Sequence, residues 1–151
     1  MYGDELMKKI LLILLLVPVL TACGGNKNKL TCVNKYDLGE AKYIFYFNSD
    51  DELESGEYII HVDYTDQELP VDEYETIEDL LKRDEEATQS FCEETDNITN
   101  CRYKRDDDVS NTLTADVKEE SIKDLINDAG SNKKSAIKNF IEENERGFVC
   151  E

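Results

Sequence analysis

Apolar positions along this chain recur with two different periods, and the change from one to the other outlines the fold. From Leu30 to Phe47 the chain is rich in β-branched and aromatic residues, with Tyr43, Phe45 and Phe47 alternating against Ile44 and Tyr46. A period of two over such residues predicts a strand with one covered face. Asn48 to Gly56 reads as a polar, acidic turn, and Glu57 to Tyr64 as a second strand. Its two faces carry Tyr58, Ile60, Val62 and Tyr64 on one side and Ile59, His61 and Asp63 on the other. Beyond Pro70 the spacing changes. Tyr74, Ile77, Leu80, Leu81, Ala87 and Phe91 recur at helical intervals and predict an amphipathic helix with one apolar stripe.

The second half repeats this order. Ile98 to Arg105 reads as a strand, Asp106-Asp107-Asp108 with Ser110-Asn111 as a turn, and Thr112 to Val117 as a strand. A helix carrying Ile122, Leu125, Ile126 and Ala129 follows, and Gly130 stops it. A last helix from about Lys133 to Asn144 sets Ala136, Ile137, Phe140 and Ile141 on one side; Gly147 ends it, and Phe148-Val149-Cys150 run back as a short strand. The order is ββα–ββα with the final helix broken, without a residue-level repeat. Helices on one face of an antiparallel sheet make an α+β sandwich, and residues 30–151 form it as one domain.

Residues 1–22 have a different character. Lys8 and Lys9 precede the apolar run Ile10 to Leu20, which is about half the roughly 20 residues that span a bilayer core and has the length of a signal-peptide apolar region. Pro18 inside the run and Gly24-Gly25 after it argue against a packed core helix. The run ends in Leu20-Thr21-Ala22-Cys23, which resembles a bacterial lipobox, the site at which a cysteine receives an acyl chain (palmitate or similar) and becomes the first mature residue. Asp4 and Glu5 ahead of the lysines are out of place in an export signal, so Met7 is the expected start of translation. Cys23 is thus the expected lipidation site, and Gly24 to Lys29 a flexible tether with a reach of roughly 12 to 15 Å. The expected location is the cell membrane, lipid-anchored and facing outside the cytoplasm.

Charge narrows the partners. The net charge is −18 and the isoelectric point near 4.3, which makes nucleic acid an unsuitable partner. Acidic residues crowd between Asp50 and Asp96 and at Asp106-Asp107-Asp108, yet no calcium-loop spacing occurs: Leu53 stands at the second ligand place before Gly56, and Leu125 precedes Gly130. A solvated surface is the simpler account, and no metal or cofactor is expected.

With Cys23 lipidated, Cys32, Cys92, Cys101 and Cys150 remain, an even set in an exported chain. Of the three pairings, Cys32–Cys150 and Cys92–Cys101 are favoured; the first ties the ends of the domain together, and the second closes a short loop between a helix end and the next strand. No Cys-x-x-Cys redox spacing is present.

The lipobox, the Lys-Leu-Thr-Cys start at Lys29 to Cys32, the ββα–ββα order and the Gly-Phe-Val-Cys end at Gly147 to Cys150 together resemble the YehR-like family of small bacterial lipoproteins. The resemblance implies fold and location and supplies no catalytic residue; Cys92 and Cys101 lie outside it.

Candidate chemistry is sparse. His61 is the single histidine and shares a strand face with Asp63, an arrangement able to orient a base. No Gly-x-Ser-x-Gly elbow accompanies it, and one histidine is too few for a zinc site. Glu40 or Glu57, with a second acid across the sheet, would be the starting point for a carboxylate-based envelope hydrolase. The tyrosines on the strands suit core packing and equally a ligand groove. Asn97-Ile98-Thr99 matches a glycosylation acceptor, which behind a bacterial lipobox is coincidental. The expected role is therefore a non-catalytic binding or interaction module with a protein or small-molecule partner. The alternative is an accessory lipoprotein of an envelope complex. An apolar pocket between sheet and helices would separate the two.

Overall fold

The computed structural model describes residues 28–65 and 76–151. The leader, Cys23, the tether up to Lys27, Pro70 and Tyr74 lie outside the described residues. The domain is an α+β fold: a six-stranded antiparallel sheet with three helices packed against it and two disulfides. The strands are β1 (Lys29–Tyr36), β2 (Gly39–Phe47), β3 (Leu53–Asp63), β4 (Ile98–Arg105), β5 (Ser110–Val117) and β6 (Val149–Cys150). Helix α1 (Ile77–Glu94) follows β3, and α2 (Glu119–Ala129) and α3 (Lys134–Asn144) follow β5. The sheet order is β4-β5-β3-β2-β1-β6.

The stretch that reads as one strand from Leu30 to Phe47 is a hairpin. β1 and β2 pair in register from Lys29 opposite Tyr46 to Tyr36 opposite Gly39, with Asp37-Leu38 as a two-residue loop. The element order is therefore βββα–ββαα–β. Asp-Leu is not a turn dipeptide with a strong signature, so Gly39 is the only local mark of the reversal. Its φ is +152°, and a Cβ there would lie 1.9 Å from the His61 backbone oxygen on β3. Leu38 also accepts a hydrogen bond from the Asp63 N–H at 2.8 Å, which fixes the hairpin on β3.

Local chemistry sets the other boundaries. The Asn48 side chain accepts from the N–H groups of Asp50 and Glu52 at 2.9 and 3.0 Å and closes the β2–β3 turn. Lys133, at the start of α3, reaches back to the Asp50 carbonyl at 2.8 Å and to Glu52 at 3.3 Å. At the start of α1, Thr76 and Asp79 form a reciprocal capping box. Gly130 ends α2 with a left-handed φ of 70°.

The alternation along the strands sorts the two faces. Leu30, Cys32, Phe45, Phe47 and Leu53 point to the helices and pack with Ile122, Ile137 and Ile141 in one buried cluster. A second, smaller cluster joins Tyr64, just after β3, to Leu80 and Leu81 of α1. Full burial of a side chain such as Phe45 or Ile137 contributes roughly 1.5 to 3 kcal/mol, so the first cluster carries most of the stability. Both clusters and both disulfides form within residues 28–151.

Cys32 and Cys150 face each other in the β1–β6 register with Cα atoms 3.9 Å apart. Thr31 and Glu151 next to them exchange both backbone hydrogen bonds. The cysteines thus occupy the close, non-hydrogen-bonded type of cross-strand pair. Cys92 near the end of α1 joins Cys101 on β4 across nine positions.

Candidate functional site

Two core clusters under one set of helices leave a gap between them. The α1 stripe is apolar at Leu80 and Leu81, both buried, but further along the sheet-facing residues are Asp84, Ala87 and Thr88. These are too small or too polar to fill the space over Ile60, Val62 and Leu113. Asp84 is accommodated by the Tyr64 hydroxyl and the Asn111 amide, donating at 2.8 and 2.9 Å. Helices α2 and α3 settle on the other half of the sheet, over Leu30 and Phe45. Beside that smaller space, a separate cleft of about 440 Å³ opens between Phe91 near the end of α1 and the helices α2 and α3.

Its floor is aromatic. Tyr43 on β2 and Tyr58 on β3 are register partners with ring centroids 4.8 Å apart. Phe91 of α1 approaches Tyr58 at 6.2 Å, and Phe148 approaches Tyr43 at 5.1 Å. Phe140 of α3 lines the opposite wall. Tyr43, Tyr58, Phe91 and Phe140 are all only partly buried, so apolar ring surface remains open in the cleft. Ile98, Val117 and Leu125 complete the apolar lining.

The remaining lining is acidic. Asp124 and Asp128, one turn apart on α2, and Glu145 just after α3 are exposed residues of the cleft. Burial, the neighbouring Tyr58 and the charge of Glu145 together push the Tyr43 phenol up to about 12. The Tyr58 phenol is raised by burial and then by Glu145. Both hydroxyls therefore stay protonated at neutral pH. Neither has a protein hydrogen-bond partner among the described residues, and both are available to a ligand as donors and acceptors.

Among the described residues no helix covers the opposite face of the sheet. Across β6, β1, β2 and β3 it carries Val149, Val33, Ile44 and Ile59, interleaved with Lys35, Glu40, Lys42 and Glu57. Alternation of sign and polarity on so flat a surface is the pattern of a solvated face.

The residues singled out from sequence are distributed over both faces. His61 lies on the helix-free face and does not pair with Asp63; Asp63 instead accepts from the N–H and hydroxyl of Thr65, at 2.8 and 2.5 Å, and closes its own turn. His61 Nδ1 lies 2.9 Å from Thr112 Oγ1 on the neighbouring strand and 3.6 Å from Asp106 Oδ2. The Thr112 hydroxyl donates to Asp106 at 2.5 Å, so its proton is directed away from the imidazole and the trio is not a nucleophile–base arrangement. Glu40 pairs with Lys42 on its own strand. Glu57 does stand opposite another acid, Asp116, but on the flat face; it accepts from the Tyr46 hydroxyl at 2.9 Å, while Asp116 accepts from the Asn100 amide at 2.8 Å. Among the described residues no cluster of three or more His, Cys, Asp or Glu side chains is placed to hold a metal ion.

Tyr43 and Tyr58 are legible as groove candidates from their strand positions. Phe140, Asp124, Asp128 and Glu145 are not: in sequence they are one core position and three among many acids, and only the packing of α2 and α3 brings them to the tyrosines. Comparison with family models, with curated proteins and with solved structures returns no match. Function is accordingly read from this chain's own residues.

Proposed function

We propose that this chain is a lipid-anchored extracytoplasmic binding module, attached to the outer side of the cell membrane through Cys23, with the helix-face cleft as its ligand site. The observation that carries the reading is the cleft itself: partly exposed aromatic rings between two separate core clusters, in a space of about 440 Å³. That volume falls within the roughly 300 to 1,000 Å³ usual for small-molecule sites, and an apolar lining with a few convergent polar groups is their usual chemistry. Lysines ahead of an apolar run ending in Leu20-Thr21-Ala22-Cys23 support the anchor, as does the resemblance to YehR-like lipoproteins.

The anchor and the cleft are near each other in this reading. Lys29, where the first strand begins, pairs with Tyr46, and Tyr43 follows along β2 at a distance of about 10 Å. A short tether thus holds the cleft close to the membrane surface, where a ligand is captured and retained.

Two measurements test the proposal. In cells with intact lipoprotein export, the full chain should fractionate with membranes, and Cys23→Ala should release it. Native mass spectrometry of protein purified from membranes in a neutral detergent should show a small-molecule adduct that Tyr58→Ala loses. A Cys23→Ala protein still held in the membrane would remove the anchor, and an adduct indifferent to Tyr58→Ala would remove the cleft.

A further inference from the structure

We propose that the cleft selects a small organic cation, an ammonium group carried on an apolar body about the size of an aromatic ring. This deepens the reading of the cleft as a ligand site and rests on it. Selectivity begins with what lines the space. Asp124, Asp128 and Glu145 contribute three carboxylates, and no lysine, arginine or histidine is among the lining residues.

Several acids elsewhere on the domain have a cationic partner. Glu52 meets Lys133, Glu78 meets Arg105, Asp106 meets Lys104, Glu119 meets Lys123 and Glu142 meets Lys138. The three cleft carboxylates have no cationic partner among the described residues. What sets them apart from the other acids of so acidic a chain is their place on an aromatic cleft, where a bound cation would neutralise them.

The aromatic floor selects in the same direction. Ring faces are electron-rich, and a cation lying over Tyr43, Tyr58 or Phe91 is attracted by the quadrupole while its apolar body covers ring surface. The charge at the rim reaches this floor, since Glu145 raises both phenols. An anion would meet repulsion at the rim and at the ring faces alike. A neutral aromatic gains the ring contacts only.

Three probes of similar size and different charge separate these cases at pH 7: benzylamine as the cation, benzyl alcohol as the neutral form and benzoate as the anion. They are titrated by NMR into the chain from residue 23 onward carrying Cys23→Ser, which retains both core clusters and both disulfides. Benzylamine should bind about tenfold more tightly than benzyl alcohol, the product of one cation–π contact and partly screened carboxylate attraction. Benzoate should bind more weakly than either. Shifts should centre on Tyr43, Tyr58 and Phe91, and raised salt should weaken benzylamine alone. Glu145→Gln with Asp128→Asn should weaken benzylamine by about threefold, the rings and Asp124 retaining the rest of its preference, and leave benzyl alcohol unchanged, which also shows that the variant is folded.

Equal binding of all three probes in the cleft would overturn the choice of a cation and leave the ligand site standing. Absence of any shift in the cleft would overturn both. Acetyl-Phe-Lys-amide presents the same ammonium on a peptide; binding at least tenfold tighter than benzylamine would reject a small molecule in favour of a polypeptide.

Discussion

Removal of the two disulfides, one at a time, is a quantitative test of the fold. Cys32–Cys150 closes a loop of 118 positions and Cys92–Cys101 a loop of 9. In the chain-entropy account, crosslinking destabilises the unfolded state by an amount that grows with the logarithm of loop length. The long loop is then worth about 4.9 kcal/mol and the short one about 2.6 kcal/mol, a difference of about 2.3 kcal/mol. The long crosslink also holds β6, a strand of only two residues, alongside the Thr31–Glu151 backbone pair, Lys138 donating to the Cys150 carbonyl at 2.8 Å and the Cys150 N–H donating to Glu142 at 2.9 Å. Cys32 and Cys150 are almost completely buried, so their loss also leaves a small void in the larger core cluster. All of these contributions have the same sign. Urea unfolding of the double variants Cys32→Ala/Cys150→Ala and Cys92→Ala/Cys101→Ala, against the parent, gives the two free energies directly. The first should lose more stability than the second by about 2 kcal/mol or more, and its m-value should rise as the unfolded chain expands. If loss of Cys92–Cys101 costs as much as loss of Cys32–Cys150, loop closure is not how these bonds act.

Two further outcomes follow from single positions. Gly39→Ala sets a methyl group 1.9 Å from the His61 carbonyl oxygen, against backbone that cannot swing aside, at a φ that disfavours L side chains. Adding about 1 to 3 kcal/mol of overpacking to about 1 to 3 kcal/mol of backbone strain, the variant should lose several kcal/mol in thermal or urea unfolding, whereas Gly130→Ala, with open space around it, should lose much less. The pH dependence has two limbs. Tyr43 is raised to about 12 in the folded state, so the stability it contributes is complete below the ordinary tyrosine value and is lost as pH rises through 12. Absorbance at the tyrosinate band should show a late-titrating component that Tyr43→Phe reduces by one phenol, Tyr64 being raised further still by burial and its hydrogen bond to Asp84. Asp106 is held low by the Thr112 hydroxyl and Lys104, and Asp107 by the Val109 N–H and the Ser110 hydroxyl. Their contribution is present above the ordinary aspartate value and is lost as pH falls through their depressed values. Unfolding followed across acid pH should show a shallower slope in Thr112→Val, which removes the hydroxyl from Asp106 and leaves Lys104 and the Asp107 contacts in place.

How far the fold is legible depends on whether the signal is local. Period two at Tyr43, Phe45 and Phe47 and at Tyr58, Ile60 and Val62 assigns these residues to one face, because side chains alternate on any strand. Helical spacing is equally clear in α2 and α3, where Ile122, Ile137 and Ile141 are all buried. The β1–β2 reversal escapes a sequence reading because Asp37-Leu38 interrupts neither the polarity pattern nor the β propensity around it. What demands Gly39 is contact with His61, a residue 22 positions away in the chain. The capping box is the reverse case, a local signal carried by Thr76 and Asp79 alone.

The chain's own order of residues determined the class of fold, the covered face of each strand and the charge of the molecule, since each depends on neighbours within a few positions. The disulfide pairing was suggested by position along the chain and decided by the β1–β6 register, which sets Cys32 against Cys150. The partner of His61 was likewise decided across strands, by Thr112 and Asp106 rather than by Asp63. The cleft belongs wholly to tertiary structure. It lies where the end of α1, at Phe91, and the helices α2 and α3, at Leu125 and Phe140, settle on different parts of the sheet and leave Tyr43 and Tyr58 between them. A void of this kind is a property of how helices meet a sheet, and no periodicity along one segment encodes it.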